Sequence, residues 1–388
     1  MMTSRRLRWL APAGVAAAVA VAALTSNVAA ASGTPKLPAR TAAELLAAVQ
    51  DANPPGMSGT IVETAKLGLP ALPAAAETGA GGASLSLQSL VTGSHTIRFW
   101  YAGEARQRIA VLGDLSESDV VHNGKDLWTY TSQTHRVTHS TVRQPAHMRE
   151  TAKAAVGRTP KALAEQALAA IDPTTGVEVD TTARVAGRSA YQLLLKPRDE
   201  RSLVGSVRIA IDAQTSVPLR VQVFARGAGK PAIEVGFTDV SFKVPDASVF
   251  TFVPPAGTTV TEEALGSTML GRGYGDHDGG GPMPQRSATY GTGDPAAKEG
   301  VEPANTRPGD HGVTVLGKGW TAVAVIPSID ALSGQSGQLL NRISEPATGG
   351  RLITSALVSV FISDNGRIYA GSVTGAELQK VAATGSGL

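Results

Sequence analysis

The chain has 388 residues and no cysteine, and its 35 Lys and Arg residues outnumber its 32 Asp and Glu residues by three. The lack of cysteine excludes disulfides, thiolate metal sites, a cysteine nucleophile and an acylated cysteine anchor. The three surplus cations are Arg5, Arg6 and Arg8, so the rest of the chain is electrically balanced and lacks the basic excess of a nucleic-acid-binding protein.

Residues 1–31 have the features of an export signal. A cationic start is followed by an uncharged apolar run over residues 9–24, and Ala29 and Ala31 stand at the −3 and −1 positions of a cleavage site before Ser32. We therefore predict export, with cleavage between Ala31 and Ser32. An uncleaved membrane anchor is the alternative, because about 20 apolar residues span a bilayer. The paired arginines are a weak twin-arginine signal, so both the Sec and the Tat routes stay open.

Three helix starts are predicted from their capping residues. Two of them are predicted by a capping box, in which the side chains of a threonine and of a glutamate three residues later each accept a hydrogen bond from the other residue's backbone amide. An N-cap threonine followed by proline predicts the third, which should run to about residue 171. The three signals are Thr41–Glu44, Thr374–Glu377 and Thr159–Pro160.

Most of the remaining chain alternates apolar and polar residues with a period of two. This pattern predicts strands with one apolar and one polar face, and therefore an antiparallel sheet. Such a sheet must curl or be covered to bury its apolar face. The predicted fold class is mainly β (α+β): a curved antiparallel sheet or half-barrel wrapped around short helices, plus a small C-terminal α+β unit. The clearest alternating segments are Ile97–Tyr101, Arg108–Val111, Val207–Ile211, Leu219–Val223 and Ile233–Phe237.

Composition divides the predicted mature chain into a large β domain, a linker and a small unit. The large domain covers about residues 36–260 and contains a flexible insertion at about 66–88, which is rich in Gly and Pro. Residues 261–310 are dense in Gly, Pro and Asp and predict a disordered linker. The small unit covers about 311–388, with a hairpin turn at Asp364–Gly366.

The large domain resembles the LolA/RseB family of periplasmic lipoprotein carriers and lipid-sensing regulators. The resemblance rests on the order of features over about 225 residues, and its most recognisable fragments are Asn-Gly-Lys-Asp-Leu-Trp and Phe-x-Phe-x-Pro-Pro. The segments that carry it are the helix Thr41–Gln50, the strand Met57–Ile61, the pair Thr96–Tyr101 and Arg106–Leu112, the hairpin Val121–Trp128, the run Asp212–Val221, the strand Ile233–Phe242 and the closing Val249–Pro255.

The resemblance implies that an apolar half-barrel cavity holds acyl chains. An ordinary filled core is the alternative for the same residues. Abundant Ala, Gly and Arg are typical of a high-GC source such as an actinobacterium, which would lack the outer-membrane pathway that the family's carriers serve. A carrier from such a host would handle another lipid or none. The expected cavity lining is Phe99, Tyr101, Ile109, Val111, Trp128, Leu195, Ile209, Val221, Val223 and Phe237, with Leu195 included only if the Tyr191–Leu193–Leu195 face points inward.

Other motifs in the sequence give no support for an enzyme or a metal site. His135 and His139 have the i, i+4 spacing of a helical metal site, but the segment favours a strand, where they would lie about 13 Å apart. The segment Asp276–Asp278 is more typical of a solvated turn. Gly317–Ala322 matches a dinucleotide fingerprint only by chance, because a strand rather than a helix should follow. No nucleophile elbow or Walker loop occurs in the sequence.

Three functions stay open. The first is an exported cell-envelope protein that binds or carries a lipid, an acyl chain or a lipoprotein and is not an enzyme, with no cofactor. The alternative is an RseB-like envelope sensor that regulates a membrane-bound anti-sigma factor, which the two-unit layout favours. The third is a structural envelope protein without a ligand. No nucleic-acid partner is expected, and no oligomeric state is predicted.

Overall fold

The computed structural model describes residues 35–68, 92–113, 116–141, 159–169, 171–263, 313–327 and 343–387. The predicted export signal with Ala31 and Ser32 lies outside these residues, as do most of the predicted insertion and of the predicted linker. Within the described residues, no helix has the length and hydropathy needed to cross a bilayer.

The helices begin where the capping residues predict. Helix α1 is Ala42–Asp51, α2 is Pro160–Ala169 and α3 is Gly375–Thr384. Thr41 and Glu44 form the reciprocal capping box at α1, with the Thr41 amide donating to Glu44 Oε2 over 2.7 Å. Gly385 ends α3 in the left-handed conformation, at φ 68°. Helix α2 ends two residues before the predicted boundary, within the usual fraying of helix ends.

In the described residues, twelve strands form one large sheet. Their spatial order is β12-β6-β5-β4-β3-β2-β1-β11-β10-β9-β8-β7, and all neighbours are antiparallel except β12, which pairs with β6 in parallel. The predicted mainly β fold, with a large curved open sheet and a second small sheet, is confirmed. The strands are β1 (Met57–Lys66), β2 (Thr92–Tyr101), β3 (Arg106–Leu112), β4 (Glu117–Asn123), β5 (Asp126–Thr131), β6 (Arg136–Thr141), β7 (Thr175–Val185), β8 (Arg188–Pro197), β9 (Val204–Asp212), β10 (Pro218–Ala225), β11 (Ile233–Ser241) and β12 (Thr259–Glu263).

The register of the strands defines two faces of the large sheet. Residues opposite each other on neighbouring strands share a face, so each row can be followed from strand to strand. One row runs from Leu193 through Ile209 and Val221 to Val235, and we call its side of the sheet the helix face, because α1 and α2 pack there. The other side, which includes Arg108 and Val121, is called the outer face.

As far as its residues are described, the small unit is a six-stranded antiparallel sheet with α3 packed on it. Its spatial order is β13-β14-β18-β17-β16-β15. Its core holds Val323, Phe361, Leu378 and Val381, all buried, and Gly366 makes the predicted hairpin turn at φ 82°. The strands are β13 (Thr314–Leu316), β14 (Val323–Ile326), β15 (Glu345–Ala347), β16 (Gly350–Thr354), β17 (Ser359–Ser363) and β18 (Ile368–Gly371).

Candidate functional site

The helix face carries nine of the ten residues predicted to line a cavity. Tracing the register from β8 to β3 places them all on one side of the sheet, including Leu195, whose companions Tyr191 and Leu193 also point to that side. The sequence pattern therefore identified one continuous apolar surface. Its nine members are Phe99, Tyr101, Ile109, Val111, Leu195, Ile209, Val221, Val223 and Phe237.

The first part of this surface lies on β8 to β10. Leu195 and Ile209 are fully buried and Val221 is 3% exposed, with Val223 at the margin of the same cluster. Helix α1 covers them with Leu45 and Val49, and α2 covers them with Leu163 and Ala164 among others. The lining is branched aliphatic, which suits flexible acyl chains better than planar ligands.

The second part of the surface lies on β1 to β3 and β11. Phe99, Ile109 and Phe237 are buried together, and Tyr101 and Val111 pack at the margin. The rings of Phe99 and Tyr101 stack with centroids 6.4 Å apart. Burial raises the pKa of the Tyr101 hydroxyl, and the nearby Glu104 carboxylate adds to this effect, so the phenol stays neutral and suits an apolar surface.

Trp128 lies on the outer face, away from the other nine. Its register partners are Val121 and His139, whereas Ile109 pairs with Val120 on the helix face. The indole stacks on the His139 ring at 4.0 Å and packs against the Phe252 ring at 5.4 Å. The sequence grouped Trp128 with the lining because alternation gives two faces without saying which of them a given strand buries.

A carboxylate lies within the helix face, where the sequence reasoning placed only apolar residues. Glu63 is 8% exposed, and its register partners on the neighbouring strands are His95 and Val235. Glu63 lies two residues from both Ile61 and Ala65 on β1, and alternate residues of a strand point to the same face. The sequence pattern could therefore have predicted that Glu63 lies on the helix face. It gives the apolar surface a polar group near the end of β1.

Comparison with known proteins identifies the domain. Residues 90–248, which run from the start of β2 into the 3-10 helix Ala247–Phe250, match the family model of the MucB/RseB N-terminal domain. The matched part of the large sheet is LolA/RseB-like. The resemblance stated from the sequence is thereby confirmed at the level of the family. A search of curated protein sequences finds no match.

Solved structures with low similarity include members of the same group. The MucA/MucB complex of Pseudomonas aeruginosa has 15% identity and a TM-score of 0.39, with 88% of this chain and 96% of that chain covered. An uncharacterized conserved protein of Thermus thermophilus has 12% identity and a TM-score of 0.32, with 57% and 99% covered. A LolA superfamily protein of Nitrosomonas europaea has 12% identity and a TM-score of 0.21, with 55% and 99% covered. These values carry no argument about function, so the family assignment rests on the family model.

The sheet of the LolA/RseB-like domain extends beyond the matched residues. Strand β1 precedes them in the chain, yet it lies between β2 and β11 at the centre of the sheet. Strand β12 follows them and completes the edge beside β6. The helix face is therefore continuous only when β1 is counted, since Ile61 joins Ile97 to Phe237 across it.

The two histidines of the i, i+4 motif do not face each other. His135 is in the turn before β6 at φ 48°, and His139 is on β6 itself, as the strand interpretation predicts. His139 lies between two carboxylates, with Nδ1 2.7 Å from Glu262 Oε2 and Nε2 3.0 Å from Asp126 Oδ1. Burial lowers the pKa of His139, but the two carboxylates outweigh it and raise the pKa above its usual value.

The remaining motifs have plain structural explanations or lie outside the described residues. Gly319–Thr321 is a 3-10 helix followed by strand β14, so the helix that a dinucleotide fingerprint requires is replaced by a strand, as predicted. The segment Asp276–Asp278 lies outside the described residues. Among those that are described, no group of three His, Asp or Glu residues is arranged to hold a metal ion.

Proposed function

We propose that this protein is an exported, non-enzymatic binding protein that holds an acyl chain of a lipid or lipoprotein against the helix face. The observation that carries the proposal is the continuity of that face, on which nine predicted lining residues lie side by side across the sheet. The match to the MucB/RseB N-terminal domain supports the same class of function.

The energetics suit an acyl ligand. Each methylene transferred from water to an apolar surface contributes about 0.8 kcal/mol, so a long chain is held by area alone, without precise polar contacts. The lining consists mostly of Leu, Ile and Val, which adapt to a flexible chain. Because Leu195 and Ile209 are fully buried by their present cover, binding must separate that cover from the sheet.

The experiment is recovery of lipid with the protein. Protein expressed and purified without detergent is extracted with organic solvent, and the extract is analysed by mass spectrometry. We expect acyl chains in stoichiometric amounts. An extract indistinguishable from the blank would contradict the proposal and leave the structural envelope protein without ligand as the explanation.

Two adjacent residues of β3 supply a matched pair of variants. Val111 and Leu112 are both half-buried and point to opposite faces of the sheet. Val111→Glu puts a charge on the helix face, whereas Leu112→Glu makes the same chemical change on the outer face. We expect lipid recovery to fall in Val111→Glu and to persist in Leu112→Glu. Thermal unfolding of both variants checks that they are folded.

The second candidate function is that of an RseB-like sensor acting on a membrane protein. It is favoured by the match to the MucB/RseB N-terminal domain and by the second unit, which offers a surface for a partner. MucB has been solved in complex with MucA. A pull-down from membranes of the source organism should recover an integral membrane protein, and recovery of none would leave the carrier as the function.

Export bears on both candidates. Edman sequencing of protein recovered outside the cytoplasm should begin at Ser32 if the signal is cleaved. A retained Met1 or Met2 terminus in a membrane fraction would instead indicate an anchored protein. The carrier requires release from the membrane, whereas a sensor functions in either form.

A further inference from the structure

The cover of the helix face has a third part besides α1 and α2, and it comes from the small unit. Trp320, Ala356 and Leu357 belong to the same apolar cluster as Leu195 and Ile209. Leu357 is 5% exposed, and Trp320 Nε1 donates to Thr175 Oγ1 on β7 over 2.8 Å. The small unit therefore packs on the same apolar cluster as the proposed acyl site, at the rim of the sheet where β7 and β9 begin.

Backbone contacts hold the small unit in this place. The Leu203 amide donates to the Ser372 carbonyl over 2.7 Å, and the Ala356 amide donates to the Leu67 carbonyl over 2.8 Å. Ser202 and Val373 form an antiparallel bridge between the two units. These are short contacts at the rim, with one aromatic and one aliphatic side chain inserted between them.

The loop that receives Trp320 is rigid on the side of the large domain. Asp172 Oδ1 accepts from the Thr174 amide over 2.8 Å, which fixes the turn just before Thr175. Gly319 packs against this turn at φ 62°, where a side chain would collide with Asp172 and Thr174. A glycine is required here both for the backbone conformation and for the close approach.

The three parts of the cover differ in what their removal would cost. Moving α1 or α2 exposes buried side chains such as Leu45 and Ala164 and leaves each helix without a core of its own. The small unit has its own buried cluster around Phe361 and Leu378, so it can leave the large domain without unfolding. Since only the junction is lost, the small unit is the part of the cover that moves at the lowest cost.

We propose that the junction between the two units is the entrance to the acyl-binding site, and that an acyl chain displaces the small unit when it binds. This inference rests on the proposed function of the helix face. The position of the small unit then depends on whether the acyl-binding site holds a ligand. Trp320 and Leu357 cover the apolar surface when no ligand is bound, and the ligand displaces them when it binds.

A reversible lock across the junction tests the entrance. The chain has no cysteine, so the double variant Ser202→Cys, Val373→Cys contains a single possible disulfide. The Leu203–Ser372 hydrogen bond makes 202 and 373 a non-hydrogen-bonded antiparallel pair, with Cα atoms about 4.5 Å apart. This is within the range that a disulfide spans. The oxidised and reduced forms of one variant are then matched in sequence.

The probe is cis-parinaric acid, a fluorescent fatty acid whose emission rises in an apolar site. We expect the reduced variant to bind the fatty acid as wild type does. The oxidised variant should bind it at least about tenfold more slowly or more weakly, because the disulfide prevents the two units from separating. Trp320→Ala, which loosens the junction without a lock, should bind faster than wild type.

Each outcome has one meaning. Equal binding by the oxidised and reduced forms overturns the entrance while leaving the acyl site in place. Absence of binding in wild type and in both forms overturns the proposed function, and the entrance with it. Loss of binding on oxidation, restored by reduction, supports the entrance.

Discussion

The two ends of the large sheet are covered by different elements. At the β7–β11 end the helix face is buried beneath α1, α2 and the small unit, and the outer face carries ion pairs such as Arg208–Asp180. At the β3–β6 end Val121 and Val137 on the outer face are fully buried. On the helix face of that end Leu127 is buried too, whereas Thr129 and Thr138 add polar side chains to the same face.

The difference follows from what packs on each end. The 3-10 helix Ala247–Phe250 lies over β3 and β4 on the outer face, where Phe250 is 1% exposed and the Val249 carbonyl accepts from Arg108 Nη1 over 3.2 Å. An alternating strand thus offers two faces, and the element that packs on it decides which one becomes core. A ligand surface can be inferred only where the packing partner is known.

The largest expected effect comes from truncating the helix-face cluster. Ile209→Ala removes a fully buried side chain between β8 and β10 and should lower the free energy of unfolding by about 3 kcal/mol. It should also weaken fatty-acid binding, because Ile209 lies at the centre of the proposed site. Chemical denaturation measures the first effect, and titration with cis-parinaric acid measures the second.

Trp128→Ala is the matched truncation at the other end of the sheet. It removes more side-chain volume, but from the outer face, where the indole is half-buried against His139 and Phe252. We expect it to destabilise the domain while leaving fatty-acid affinity unchanged. Equal loss of affinity in both variants would refute the assignment of ligand binding to the helix face alone.

The sequence was sufficient for the alternation and the caps, which depend on local physics. Thr41 and Glu44 form hydrogen bonds with each other within one helical turn. Nine of the predicted lining residues fall on one face because the period of two is kept within each strand. The spatial order of the strands was not predicted, since β1 pairs with β11 across about 170 residues of chain.

The sequence was insufficient where burial depends on distant packing. Trp128 sits in the same alternating pattern as Phe99, but the strand register places it on the outer face, where the segment that follows β11 covers it. Trp320 stands in a short segment of the small unit, with no local signal that its indole reaches Thr175. Contacts of this kind arise from tertiary structure, which periodicity does not encode.

The next largest loss of stability is expected at the β7–β11 end of the sheet, in the turn between β9 and β10. Asp212 is 1% exposed and accepts from Arg188 Nε over 2.6 Å and from the Thr215 amide over 2.8 Å. Asp212→Asn removes the charge from this buried network. We expect a loss of about 2 kcal/mol in the free energy of unfolding at neutral pH.

The pH dependence of this loss identifies its cause. Burial acts to raise the pKa of Asp212, but the hydrogen bonds from Arg188 and Thr215 outweigh it and hold the pKa below its usual value of 3.8. The stabilisation is therefore complete above that value and is lost as the pH falls through the lowered pKa. The exposed Glu178–Lys196 pair is the control, since Glu178→Gln should cost less than about 0.5 kcal/mol. A constant difference between wild type and Asp212→Asn down to acid pH would contradict this account.

The smallest expected change in stability is at His139, at the other end of the sheet, and its pH dependence is opposite to that of Asp212. His139 joins β5 to β12 through Asp126 and Glu262, and its raised pKa means that the charged form is the stabilising one. The contribution is complete below the usual value of 6.5 and is lost as the pH rises through the raised pKa. Because the two carboxylates are 53% and 71% exposed, we expect less than about 1 kcal/mol.

Hydrogen exchange resolves this effect, because it reports on β12 separately from the rest of the sheet. The amides of β12 in wild type should exchange faster, after correction for intrinsic rates, as the pH is raised from roughly 5.5 to roughly 8.5. His139→Gln, which keeps a neutral polar side chain, should abolish that change and leave β9 and β10 untouched. If β12 in the variant retained the pH response, a titratable group other than His139 would cause it, and the attachment of β12 through His139 would be refuted.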